Sequence, residues 1–91
     1  MKNILITGGC GFIGSNFINT IFDTSDYNIF NIDAMYYCAN ETNVAEHVRN
    51  SPRYTLIKGN ICSFDLVLHV LRCYNIDVVV HFEKLIFEDQ D

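Results

Sequence analysis

Apolar and polar positions along this chain switch between two periods. Ile4-Leu5-Ile6 is a short continuous apolar run that ends at Thr7 and a cluster of glycines. After the glycines, Ile13, Phe17, Ile18, Ile21 and Phe22 recur at helical spacing. The pattern predicts a strand over 3–7, a helix over 12–22, a strand over 28–33 and an irregular stretch with a short helix near 41–49. It continues with a strand over 53–58, a helix over 64–74 and a strand over 76–82. Ser51-Pro52 and Gly59-Asn60 are turn signals on either side of the third strand. Ser63 is placed to cap a helix whose Phe64, Val67, Leu68 and Leu71 share a spacing, and Asn75 stands where that helix should end. Ile76-Asp77-Val78-Val79-Val80 is β-branched and nearly continuous, as in a parallel strand covered on both faces.

Strands alternating with helices imply right-handed crossovers and a parallel sheet. The expected fold is therefore α/β, a partial Rossmann fold with a four-stranded parallel sheet in the order 3-2-1-4 and flanking helices. No repeat or low-complexity segment interrupts it. Ninety-one residues allow one domain at most, and a chain of this size buries only roughly 60–65% of its unfolded surface. Its margin of stability should be thin.

The glycines give the first chemical lead. A strand, a glycine turn and a helix N-terminus make an anion site, because unpaired backbone N–H groups and the positive end of the helix dipole point the same way. Gly8-Gly9-Cys10-Gly11-Phe12-Ile13-Gly14 occupies that place. Asp33 closes the next apolar run, nineteen positions after Gly14, where a dinucleotide site expects a carboxylate for the ribose hydroxyls. A P-loop is excluded, since no Gly-Lys-Ser/Thr follows the glycines.

Composition removes other classes. The net charge of −5 argues against a nucleic-acid surface, which needs clustered Lys and Arg. No apolar run approaches the ~18 residues of a membrane helix, and the start of the chain lacks a signal-peptide core. A cytoplasmic protein is expected. Cys10, Cys38, Cys62 and Cys73 show no metal-type spacing, so free thiols buried as small apolar groups are expected. His47, His69 and His81 are scattered, and no metal site is expected. Asn40-Glu41-Thr42 matches a glycosylation sequon without an export signal to use it.

Beyond the general pattern, Thr7-Gly8-Gly9-Cys10-Gly11-Phe12-Ile13-Gly14-Ser15 resembles the opening of extended short-chain dehydrogenases/reductases. Asn31 to Ala39 with Asn43, Lys58-Gly59-Asn60-Ile61-Cys62, and Ile76 to Phe82 resemble segments of the nucleotide-sugar 4,6-dehydratases, the dTDP-glucose and UDP-glucose enzymes in particular. The resemblance covers 1–82. It implies NAD as cofactor, with the pyrophosphate at Gly8, Gly11, Phe12, Ile13 and Gly14, and the adenosine ribose at Asp33, Ala34, Met35 and Tyr36. It implies adenine at Asn60 and Ile61, with Phe82 at the end of the fourth strand beside the cofactor. Asp33 favours NAD over NADP, because a carboxylate repels a 2′-phosphate. Where the family has Asp this chain has Asn60, which keeps an acceptor oxygen but loses the charge, so adenine recognition should weaken without being abolished.

After Phe82 the likeness stops at one residue. The family continues with two alanines; here Glu83-Lys84 begin an acidic tail over 83–91. A frameshift, an alternative exon, a shortened gene and a divergent tail all fit that break. The family's reaction oxidises the sugar at C4, eliminates water across C5–C6 and returns the hydride to C6, using a helical Tyr-x-x-x-Lys pair and acidic groups from later in the chain. Tyr54-Thr55-Leu56-Ile57-Lys58 matches that motif literally, but as a strand it would hold the two Cα atoms about 13 Å apart. No catalytic residue is therefore assigned. The expectation is a truncated dehydratase-like NAD-binding module, inactive alone, whose dinucleotide is its only small-molecule partner. The alternative is an interaction partner or regulatory subunit of a full-length dehydratase. The open sheet edge at the fourth strand should pair with such a homologue or with a second copy.

Overall fold

The computed structural model describes residues 2–35, 40–60 and 62–82. Its elements are β1 (Asn3–Thr7), α1 (Phe12–Thr24), β2 (Asn28–Asp33), a 3₁₀ turn (Glu41–Asn43), α2 (Glu46–Arg49), β3 (Tyr54–Lys58), α3 (Phe64–Cys73) and β4 (Val78–His81). The strands form one parallel sheet in the order β3-β2-β1-β4. Both the expected fold class and the strand order are observed.

Alternation along the strands divides the core into two layers. Ile4 and Ile6 of β1, Ile29 of β2 and Tyr54 of β3 pack with Ile18 of α1 and with Val44 and Val48. On the opposite face Leu5 and Ile32 pack against Val70 of α3, with Phe30, Ile57, Leu66 and Ile76 around them. The sheet is thus covered by α1 and α2 on one side and by α3 on the other, and its central strands are buried on both.

Local chemistry sets the ends of the elements. The Ser63 hydroxyl accepts from the Leu66 N–H, and Asn75 turns the chain with φ of 51° just beyond α3. α1 runs to Thr24, two residues past its expected end. The Arg53 guanidinium there donates to the carbonyls of Phe22, Ser25 and Tyr27, each at 3.0 Å, and lies 3.9 Å over the Phe22 ring. The contacts to Phe22 and Ser25 satisfy carbonyls at the helix end that lack intrahelical partners, and the contact to Tyr27 ties down the chain leading into β2. The short helix expected near 41–49 is divided, because Val44 and Ala45 take extended backbone between the 3₁₀ turn and α2.

Three side-chain expectations are corrected. Ile13 is 70% exposed, because it lies on the face of α1 turned away from the buried Ile18. On α3 the stripe that faces the sheet contains Leu66 and Val70, while Phe64 and Leu71 lie outside. Of the thiols, Cys10 is buried but Cys62 and Cys73 are exposed; Cys38 lies outside the described residues. Among the described residues no helix is long and apolar enough to cross a membrane, and no group of three potential metal ligands forms.

Candidate functional site

The site is built where β1 stops and α1 starts. Gly8 carries φ of 74°, and Gly11 precedes the helix in extended backbone. Gly14 lies so close beneath the turn that an added Cβ would come within 2.5 Å of the Gly8 carbonyl oxygen and 2.9 Å of the Gly9 Cα. Only a residue without a side chain lets the helix start there. The first backbone bond of the α1 pattern is Ser15 N–H to the Gly11 carbonyl, at 2.9 Å. The N–H groups of Phe12, Ile13 and Gly14 therefore form the donor-bearing end of the helix, with the positive end of its dipole. Phe12 is 78% exposed beside them.

Neighbouring side chains hold the turn from beneath. Asp33 accepts from the Cys10 N–H through Oδ2 at 2.7 Å and from the Met35 N–H through Oδ1 at 2.8 Å. It is only 4% exposed, so the carboxylate serves as a bracket between the glycine turn and the chain leaving β2. Each oxygen retains a further lone pair for a ribose hydroxyl. The second bond also supports Met35 in left-handed backbone, with φ of 62°, a conformation that any residue with a Cβ disfavours. The Cys10 carbonyl accepts from the Asn40 N–H at 3.0 Å and from the Asn43 amide at 2.9 Å. Burial, reinforced by the Asp33 carboxylate, pushes the Cys10 thiol up to about 11. It is a neutral packing group at ordinary pH.

The other expected contacts are distributed around this centre. Gly8, Gly11, Phe12, Ile13 and Gly14 come together with Asp33, Ala34 and Met35 at the ends of β1 and β2. Asn60 follows β3, and its side-chain oxygen accepts from the Cys62 N–H at 2.8 Å, so the acceptor assigned to adenine is engaged in a local turn. The Phe82 N–H extends the β1–β4 ladder to the Thr7 carbonyl at 2.8 Å, and its ring lies 5.3 Å from that of Phe17. Tyr36 and Ile61 lie outside the described residues, as do residues 83–91 of the acidic tail. Tyr54 and Lys58 are strand residues, as expected; Tyr54 is buried, while the Lys58 ammonium reaches Glu41 at 3.4 Å.

Two groups beside the site have partners that the sequence alone does not assign. Asn31 is buried and accepts from the Gly9 N–H at 2.9 Å. Its signal was a polar residue set within the apolar run Ile29-Phe30-Asn31-Ile32. His81 meets Thr7 through Nδ1 and Oγ1 at the ends of β4 and β1. Neighbours on paired strands cannot be read from strand order alone, without the register.

A parallel α/β unit with a glycine turn, a helix N-terminus and a carboxylate at the end of the second strand is a Rossmann-type nucleotide-binding unit. Residues 5–86 match the family described as GDP-mannose 4,6 dehydratase, and the chain belongs to that family. It is 41% identical over 81 residues to the dTDP-glucose 4,6-dehydratase of Haemophilus influenzae, covering 89% of this chain and 24% of that protein. It is 42% identical over 82 residues to the dTDP-D-glucose 4,6-dehydratase of Mus musculus, covering 89% and 23%. The chain thus spans about a quarter of the length of these relatives. Among solved structures, it superposes with a TM-score of 0.88 and 37% identity on a dTDP-glucose 4,6-dehydratase from Bacillus anthracis in complex with NAD, over 93% of this chain and 27% of that one.

Proposed function

We propose that this chain is the NAD-binding part of a nucleotide-sugar 4,6-dehydratase, holding the dinucleotide without carrying the sugar chemistry. The observation that supports it most directly is the bond from the Cys10 N–H to Asp33 Oδ2 at 2.7 Å. It joins the element suited to a pyrophosphate to the element suited to a ribose in one rigid piece. The residues present fit the group: the α1 N-terminus offers donors for the pyrophosphate, and Gly14 lets that N-terminus pack directly against the glycine turn. Asp33 offers oxygen lone pairs to the ribose and repels a 2′-phosphate. When bound, NAD supplies a hydride acceptor for oxidation of a sugar hydroxyl.

The acid–base part of that chemistry needs a tyrosine lowered by a lysine one helical turn away. Here Tyr54 and Lys58 are on a strand, and the Tyr54 hydroxyl is buried and pushed up to about 12, chiefly by desolvation. That is the reverse of what a catalytic base needs. The 91-residue chain should therefore form no 4-keto-6-deoxy product from dTDP- or UDP-glucose with NAD present. We assign it to the cytoplasm, where exposed thiols such as Cys62 and Cys73 remain reduced.

Titration calorimetry with NAD and NADP tests the assignment. Asn60 in place of an acidic residue, the charged Glu83 and Lys84 after the fourth strand, and a span of only about a quarter of the relatives' length set the expected dissociation constant no tighter than about 100 μM, near 5.5 kcal/mol of binding free energy. NAD should bind better than NADP, and Asp33→Ala should narrow that preference. Low-micromolar NAD affinity would refute the weak-binding part; preference for NADP, or no binding of either at millimolar concentration, would refute the assignment itself.

A further inference from the structure

Asn31 lies beneath the glycine turn and is fully buried in the sheet. An amide in such a place is costly unless its polar atoms are paired, and the described contacts pair both ends. Oδ1 accepts from the Gly9 N–H at 2.9 Å, Nδ2 donates to the Tyr54 hydroxyl at 3.0 Å, and the Cys10 sulfur lies 3.5 Å from Nδ2. The orientation of the amide is chemically determined. A backbone N–H can only donate, so it must face Oδ1, which turns Nδ2 toward the phenol oxygen and the thiol. The neutral thiol is a weak acceptor, so the phenol is the principal partner.

The turn is shaped to this contact. A Cβ at position 9 would fall 2.5 Å from Asn31 Oδ1 and 2.4 Å from Ile18 Cδ1, so Gly9 is the residue that allows the amide to reach the backbone. Tyr54 pairs in register with Ile29, two residues before Asn31. Two residues along a strand span roughly 6.6 Å, a distance that a tyrosine lying along β2 covers with its hydroxyl.

We propose that Tyr54 and Asn31 are a positioning pair for the candidate site: the phenol on β3 orients the Asn31 amide, and the amide holds the Gly9 N–H so that the glycine turn is preformed for the pyrophosphate. The proposal deepens the NAD-binding assignment and rests on it. It gives the tyrosine of the misleading Tyr-x-x-x-Lys match a role that involves no proton transfer. Loss of the hydroxyl should release the amide, loosen the turn, and weaken the dinucleotide without unfolding the sheet.

The test uses the whole chain and two readouts. In Tyr54→Phe, hydrogen exchange followed by NMR should show the Gly9 amide exchanging about tenfold faster, the loss of roughly one hydrogen bond's worth of protection. The Ile29 amide, held at 2.7 Å by the carbonyl of Arg53 just before β3, should keep its wild-type rate. NAD affinity should fall about fivefold. Because Tyr54 acts through Asn31, Tyr54→Phe should change neither NAD affinity nor Gly9 exchange by more than about twofold when added to Asn31→Leu. Unchanged Gly9 exchange in Tyr54→Phe overturns the proposal, and so does equal acceleration of Gly9 and Ile29. A full additional loss in the Asn31→Leu background overturns it as well. If Asn31→Leu does not fold, Gly9 exchange in Tyr54→Phe alone decides. Absence of NAD binding to the wild-type chain refutes the assignment above, while the Gly9 measurement still decides whether the pair positions the turn.

Discussion

Replacing Gly14 by alanine should destabilise the chain, although the same change inside most helices stabilises them. An added Cβ would meet the Gly8 carbonyl oxygen at 2.5 Å, which is 0.9 Å short of the 3.4 Å at which ordinary contact begins, and the Gly9 Cα at 2.9 Å. Both obstacles are backbone, so no rotamer change relieves them, and α1 must move away from the turn. Overpacking of this kind costs about 1–3 kcal/mol, against a gain in helix propensity of at most about 1 kcal/mol. Because both obstacles are backbone and lie under 3.0 Å, the cost falls in the upper part of that range, about 2–3 kcal/mol, and the net expectation is a loss of about 1–2 kcal/mol, or a melting temperature lower by roughly 5–10 °C for a chain of this size. Gly11→Ala is the matched control. Its Cβ would find only the Gly8 oxygen, at an ordinary 3.6 Å, and its φ of −74° suits alanine. A glycine-to-alanine change at a cap should cost about 0.5 kcal/mol. Urea unfolding followed by circular dichroism measures both variants. NAD affinity should fall further in Gly14→Ala, since the donor-bearing first turn shifts relative to the Asp33 bracket. A Gly14→Ala chain as stable as wild type, or losses equal in the two variants, would refute the steric argument.

Three further outcomes are expected. Arg53→Ala should destabilise the fold by about 2 kcal/mol, since it leaves three carbonyls at the α1 end without their charged donor; a urea midpoint unchanged from wild type would contradict this. Cys10 and Tyr54 are pushed up to about 11 and about 12 from 9.0 and 10.0, so both stay neutral in the folded chain after the unfolded chain has begun to ionise. Their contribution is undiminished below pH 9 and should be lost as pH rises through the interval from 9 to 12; melts that are flat with pH across that interval would exclude it. Strand β4 is paired only with β1 among the described residues and presents Val79 at 54% exposure. An apolar edge of that kind should make the chain self-associate or pair with a longer homologue, and a stable monomer by light scattering at tens of micromolar would argue otherwise.

What the sequence determined by itself was everything governed by local period and local chemistry. Short continuous apolar runs between turn signals located all four strands, the 3.6 repeat located the two longer helices, and the alternation of types dictated a parallel sheet. Ser63 and Asn75 announced the two ends of α3. The glycines and Asp33 marked the site because a close approach and a strand-end carboxylate leave signatures at fixed spacing. Tyr54 to Lys58 could be taken out of the catalytic role because Pro52 and Gly59 bound it as a strand. Only the tertiary structure decided which way ambiguous faces turn. Apolar residues surround much of α3, so periodicity could not choose between Phe64 with Leu71 and Leu66 with Val70; the position of the sheet chose the second pair. It also decided the use of buried polar groups. Asn31 meets Gly9 and Tyr54 across separations of 22 and 23 residues, and Asp33 spends a bond to each oxygen on the backbone around it. Hydrogen bonds of that kind depend on register and on the direction each side chain takes, which no local window contains.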